Sequence, residues 1–225
     1  MTTANVVLVH AAWADASSWN KVIPLLREQG LKVVSAQIPL TSLADDAAAL
    51  TRVLKKMDGP VILAGHSYGG AVITAVDQPN VKALVYIAAM APAEGETVGE
   101  LLHRAPPHPQ APALAPDQDG FLWMPPEAIS NAVAHRATSS ETALMAATQK
   151  PISVKCLGEP MGEPAWKAKP SWFLLAEQDR MISPSTQRFM AERMRAVVVA
   201  RDLDHSPLIS APAEVASVIL EAASQ

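Results

Sequence analysis

Only one cysteine, Cys156, stands in the chain, so no intrachain disulfide can form and the sequence suits a reducing compartment. A lone thiol of this kind reads first as buried and inert. No block of like charge occurs either. The 18 Lys and Arg and 22 Asp and Glu are interspersed, giving a net charge of -4 and a pI near 5.8. Without a basic stretch, nucleic acid and anionic membrane surfaces are poor partners, and a small neutral or apolar ligand fits better. No apolar run approaches the length that a membrane-spanning helix needs. Met1 to Asn5 run into a strand-like segment without a basic region or cleavable apolar stretch, which makes the cytoplasm the expected location. There is no His-Glu-x-x-His helix, and no glycine-rich phosphate loop follows the first apolar run, so neither a metal nor a cofactor is expected.

What the chain does have is enough apolar material for one large domain: 225 residues, 49% of them hydrophobic, with no internal repeat. Val6–Val9 is an apolar run of the kind buried on both faces of a parallel sheet. Ser17 or Ser18 is placed to cap a helix carrying Trp19, Val22, Ile23 and Leu26, which Gly30 ends. A strand is expected over Leu31–Ala36, a helix opening at Asp45 and Asp46, and a strand over Val81–Ala89. After a long interruption come a strand over Ser171–Ala176, a helix after Ser183-Pro184, a strand over Ala196–Ala200 and a helix over Ala213–Ala222. Alternation of this kind implies an α/β fold: a doubly wound, mainly parallel sheet of about six strands with helices on both faces. Between Ala93 and Pro170, Pro106, Pro107, Pro109, Pro112, Pro116, Pro125 and Pro126 break the pattern. Phe121, Leu122, Trp123 and Met124 make this stretch too apolar for a solvated linker. The expected organisation is a core of residues 1–92 and 170–225 with a mainly helical cap inserted at 93–169.

The chemistry points to Gly65-His66-Ser67-Tyr68-Gly69-Gly70, which follows the β-branched run Val61-Ile62 and precedes the helix-like segment Ala71–Val76. A strand, a tight turn and a helix would lift the Ser67 hydroxyl out at the sheet's edge, with Gly65 and Gly69 small for steric reasons. Ser67 reads as a nucleophile. Serine needs a base, histidine suits that task near neutral pH, and a carboxylate must orient the histidine. The Ser67 motif resembles that of the α/β-hydrolase superfamily, and the resemblance implies the chain order Ser, acid, His. His205, after the last strand, is the candidate base. His10 and His66 precede any candidate acid, and His103, His108 and His135 fall in the insertion. Glu177, Asp179, Asp202 and Asp204 are the nearby acids, with Asp204 expected to be a surface neighbour of His205.

These motifs resemble the α/β-hydrolase superfamily, and more narrowly the small bacterial esterase-like members related to plant methylesterases and hydroxynitrile lyases. The resemblance runs from Val6 to about Leu220 and is weakest between Ala93 and Lys169. It gives the acid's position to Asp179. It also implies an oxyanion hole formed by the backbone N–H groups of Tyr68 and Ala12, the latter in His10-Ala11-Ala12-Trp13. Relatives carry glycine where this chain has Ala11, which sets a methyl beside that loop. Trp13, Trp123, Trp166 and Met181 are candidates for the substrate pocket.

The implied activity is cofactor-free hydrolysis of small carboxylic esters, with lactones and perhydrolysis left open. A ligand-binding or signalling role for the same pocket is also left open, and so is a homodimer. The hydroxynitrile lyase reading is disfavoured. Members of that branch carry threonine, glutamate and lysine where this chain has Ala11, His66 and Ser206, and no cation would stand beside His205 to meet departing cyanide.

Overall fold

The computed structural model describes residues 5–224. Strand β1 (Asn5–Val9) leads into a loop where the Asp15 carboxylate accepts from the Ser17 N–H and starts a single 3₁₀ turn, Ala16–Trp19. Helix α1 (Val22–Glu28) begins only afterwards. The expected continuous helix from Ser17 or Ser18 is therefore split, because Pro24 has no N–H for the carbonyl of Asn20 and its ring crowds that group. Strand β2 (Lys32–Ala36) follows, and then α2 (Leu43–Leu54), capped by the Ser42 hydroxyl, which accepts from the Asp45 N–H. Next come β3 (Val61–His66), α3 (Tyr68–Thr74) and β4 (Val81–Ile87).

The proline-broken stretch holds α4 (Val98–Leu102), β5 (Phe121–Leu122), α5 (Pro126–Ala128) running on as a π-helical turn Ile129–Val133, α6 (Ser139–Thr148), β6 (Ile152–Ser153) and α7 (Val154–Gly158). Its longest helix is α6. The antiparallel pairing of β5 with β6, Phe121 opposite Ser153 and Leu122 opposite Ile152, was not expected. The chain closes with β7 (Ser171–Ala176), α8 (Pro184–Arg193), β8 (Val197–Arg201), α9 (Pro207–Ser210) and α10 (Pro212–Ala223).

Six strands form one sheet in the order β2-β1-β3-β4-β7-β8, every neighbouring pair parallel. Successive side chains of a strand point to opposite faces, and here both faces are covered. Val6 and Leu8 of β1, with Ile62, Val85 and Leu174, pack against Val22 and Leu26 of α1 and Val215, Val218 and Ile219 of α10. Val7 and Val9, with Leu63, Leu84 and Phe173, face Leu50 and Leu54 of α2, Val72 of α3 and Met190 of α8. That second core also takes Leu122, Ile152, Cys156 and Ala165 from the proline-rich stretch, while Met124, Ala128 and Ile129 make a smaller cluster of their own. The C-terminal ends of β1, β3, β7 and β8 thus open under that stretch.

Candidate active site

Ser67 occupies the turn between β3 and α3 with φ 52° and ψ −121°, a conformation costly for any residue with a Cβ. The glycines around it permit the turn. A Cβ on Gly65 would lie 2.5 Å from the Gly69 carbonyl oxygen, and one on Gly69 would lie 2.6 Å from the carbonyl oxygen of Val9. No side chain fits in either place, so the Gly-x-Ser-x-Gly spacing is a steric requirement of the close approach of α3 to β1 and β3.

Asp179 lies after β7 and His205 after β8, and the two loops are stitched together. The N–H groups of Glu177 and Gln178 donate to the carbonyls of Arg201 and Leu203. His205 Nδ1 donates to Asp179 Oδ2 at 2.7 Å, and His205 Nε2 lies 3.0 Å from Ser67 Oγ, in position to accept its proton. All three side chains are buried. Asp179 Oδ1 accepts from the N–H groups of Met181 and Ile182, and Oδ2 accepts a second bond, at 2.8 Å, from Gln187 Nε2. Bonds to a charged group contribute about 1.5–3 kcal/mol each, so four of them offset a burial cost of several kcal/mol for one anion.

Two further buried groups hold the histidine loop. His66 Nε2 donates to the carbonyl of His205 at 2.7 Å, and burial, reinforced by the neighbouring His205, lowers the His66 pKa to about 3. Asp204 is not the surface neighbour expected. It is fully buried, accepting from the Arg136 N–H at 3.0 Å and from the Ser210 hydroxyl at 2.7 Å. The charge that hydropathy assigns to solvent is buried because the chain passing through Arg136 covers this loop.

On the other side of Ser67, the N–H groups of Ala12 and Tyr68 find no acceptor among the described residues. His10 sets the first of them. Its Nε2 accepts from the Ile38 N–H at 3.2 Å, so Nδ1 carries the proton and donates to the Ala11 carbonyl at 2.9 Å. In a trans peptide the C=O and N–H point opposite ways, so tying down the Ala11 carbonyl turns the Ala12 N–H away from His10. Burial lowers the His10 pKa to about 4, which keeps the ring neutral for that double role. The phenol of Tyr68 donates to the buried Asp46 carboxylate at 2.7 Å. Burial pushes the Cys156 thiol beside Asp46 up to about 12, consistent with an inert side chain.

Ser67, His205, Ala11 and Ala12 border a cavity of about 270 Å³. Trp13, Met124 and Met181 line it, with Ile129, Val133 and Met145, which sequence reasoning did not single out. Its rim carries Lys21, bonded both to Glu141 of α6 and to the Ile209 carbonyl. Trp123 and Trp166 are corrections. Along Leu122-Trp123-Met124 the side chains alternate as in a strand, so Leu122 and Met124 turn inward while Trp123 is 51% exposed and donates to the Asp117 carboxylate. Trp166 donates to the Pro92 carbonyl and lies under Arg193, packed into the core beside the sheet and away from the cavity. Among the described residues no group of three His, Cys, Asp or Glu side chains is placed to hold a metal ion.

A model of the alpha/beta hydrolase family matches residues 6–218, nearly the whole chain. The chain belongs to the alpha/beta hydrolase family. It is 33% identical to the carbendazim hydrolyzing esterase of Nocardioides sp. (strain SG-4G) over 119 residues, 46% of this chain and 49% of that protein, so the match spans about half that relative's length. Two solved structures share the fold across nearly all of both chains. A pyrethroid hydrolase from Sphingobium faniae JZ-2 superposes with a TM-score of 0.87 at 22% identity, covering 99% of this chain and 98% of the other. A methylesterase from Arabidopsis gives 0.81 at 21% identity, covering 99% of each. The family assignment agrees with the resemblance read from the Ser67 motif.

Proposed function

We propose that this protein is a serine hydrolase that cleaves small, neutral carboxylic esters through an acyl-enzyme. The observation that carries the reading is one hydrogen-bonded chain, Asp179–His205–Ser67, ending beside two unengaged N–H groups at the wall of an apolar cavity. Relatives named esterase and hydrolase support the same class.

Ser67 Oγ attacks the ester carbonyl carbon while His205 Nε2 takes its proton, and Asp179 steadies the imidazolium. The carbonyl oxygen becomes an oxyanion and accepts from the N–H groups of Ala12 and Tyr68, donors already aimed and costing no reorganisation. His205 then returns the proton to the departing alcohol oxygen as the C–O bond breaks, leaving the acyl group on Ser67. Water, deprotonated by the same nitrogen, releases the acid and restores the serine. The stretch 93–169 acts as a cap: with Met124, Ile129, Val133 and Met145 over the site, it keeps bulk water from the acyl-enzyme.

Purified protein is expected to hydrolyse short-chain aryl esters without added metal or cofactor, and a fluorophosphonate probe should label Ser67. Ser67→Ala should lower kcat on the order of 10⁴- to 10⁶-fold. Undiminished turnover in that variant would exclude the covalent route. Tight binding with turnover slower than about one event per hour, against the usual ~1 to 10³ per second for enzymes, would favour a ligand-binding role instead.

A further inference from the structure

Gln187 is a fully buried glutamine on α8, outside the lining of the cavity, with every hydrogen-bonding atom of its amide engaged near the triad acid. Its Nε2 donates to Asp179 Oδ2 at 2.8 Å and to the Ile182 carbonyl at 2.9 Å, and its Oε1 accepts from the Ala176 N–H at 3.1 Å. The side chain therefore ties the last residue of β7 to both ends of the turn that carries the acid. A methionine would fill the same volume, as Met190 does one turn further along α8, without burying an amide. Packing alone does not call for glutamine here.

The oxygen that Gln187 meets is the one that His205 uses. Asp179 Oδ2 accepts from Gln187 Nε2 and from His205 Nδ1 at nearly equal distances, 2.8 and 2.7 Å. Two donors on one carboxylate oxygen share its negative charge, so the Gln187 bond weakens the hold of Asp179 on a charged imidazole while fixing the direction of that hold. We propose that Gln187 is a positioning residue that acts on His205 through Asp179, orienting Oδ2 and limiting how strongly the carboxylate retains the imidazolium. When the Ser67 proton moves to His205 Nε2, the new charge faces Oδ2. Too strong a hold there keeps the proton on the ring, which has to give it to the leaving alcohol oxygen later in the cycle.

This inference rests on the hydrolase reading, and its test separates the two. Gln187→Met removes the donor at constant volume. Gln187→Leu also removes the donor with a side chain of similar size, and it carries the test if the methionine variant does not fold. In either variant the acid limb of the kcat/KM profile on an aryl ester should move to higher pH by about half a unit or more, and plateau kcat should fall about tenfold. The far-downfield Nδ1 proton resonance of His205 should titrate at correspondingly higher pH, and this signal needs no turnover. Folded variants whose acid limb and Nδ1 titration both coincide with those of the parent protein would overturn the proposal. A parent protein without ester turnover would sink the hydrolase reading alone, leaving the Nδ1 titration to decide the role of Gln187.

Discussion

Ser67 is held where an L-residue is uncomfortable, and two more positive φ values stand at the same edge of the sheet, Trp13 at 56° after β1 and Ala88 at 43° after β4. Strain of about 1–3 kcal/mol per residue persists only where surrounding contacts over-determine the backbone. Here the Ser67 carbonyl accepts from the N–H groups of both Gly70 and Met90, and its own N–H donates to Ile87. Removing the side chain beyond Cβ leaves that strain in place, while removing Cβ relieves it. Ser67→Gly should therefore be more stable than Ser67→Ala by about 1 kcal/mol, after the added chain entropy of glycine is deducted. Urea midpoints of the two variants measure the difference, and equal midpoints would mean the turn is unstrained. At this scale the tight turn at Ser67 was legible because steric demand writes itself as Gly65 and Gly69, and the approach of His205 to it was legible through chain order. Gln187 was not legible: nothing in Ser183-Pro184-Ser185-Thr186-Gln187 distinguishes an inward amide from a solvated one until the acid turn is folded against it.

The strands of the main sheet were readable because burial on both faces demands continuous apolar runs, and β1, β3, β4 and β7 carry them. The edge strand β8 was readable too, although Val197 and Val198 stand 46% and 40% exposed. The pair β5 and β6 was not, since two residues each carry no period and their register depends on contacts about 30 residues apart in sequence, Leu122 to Ile152 and Phe121 to Ser153. The same miss misplaced Trp123, whose outward turn follows from that pairing. Between elements, Asp204 deserves a variant of its own, because it joins the loop of His205 to the covering stretch through the Arg136 N–H and to α9 through Ser210. Asp204→Ala leaves two donors without their acceptor, a loss of about 2–6 kcal/mol at about 1–3 kcal/mol for each stranded group. Unfolding free energy should fall by that amount and kcat should fall with it as His205 loosens. Lys21→Met at the cavity rim offers the contrast. Its ion pair with Glu141 is part-exposed and worth under about 1 kcal/mol, so stability should hold while KM for bulky esters changes. Unfolding curves and KM values for short and bulky esters check both.

For the molecule as a whole, the two histidines flanking Ser67 at the edge of the sheet set its response to acid. His10 organises the loop carrying Ala12, His66 anchors the loop carrying His205, and burial lowers their pKa values from 6.5 to about 4 and about 3. A histidine depressed in the folded state binds its proton more readily when unfolded, so the unfolded chain takes up more protons below the ordinary value of 6.5. Stability from such a group is fully present above that pH and is lost as pH falls toward the folded values. At pH 5 each histidine still resists protonation in the folded protein while the unfolded chain is protonated, a loss on the order of 2 kcal/mol apiece relative to pH 7. Two such groups in one domain remove a large share of the ~5–15 kcal/mol that domains of this kind possess. Unfolding free energy from urea titrations should therefore fall by about 4 kcal/mol between pH 7 and pH 5. The fall should be roughly halved in His66→Gln, whose amide can still donate to the His205 carbonyl but takes up no proton. A parent protein equally stable at the two pH values would show that neither ring is kept neutral by the fold.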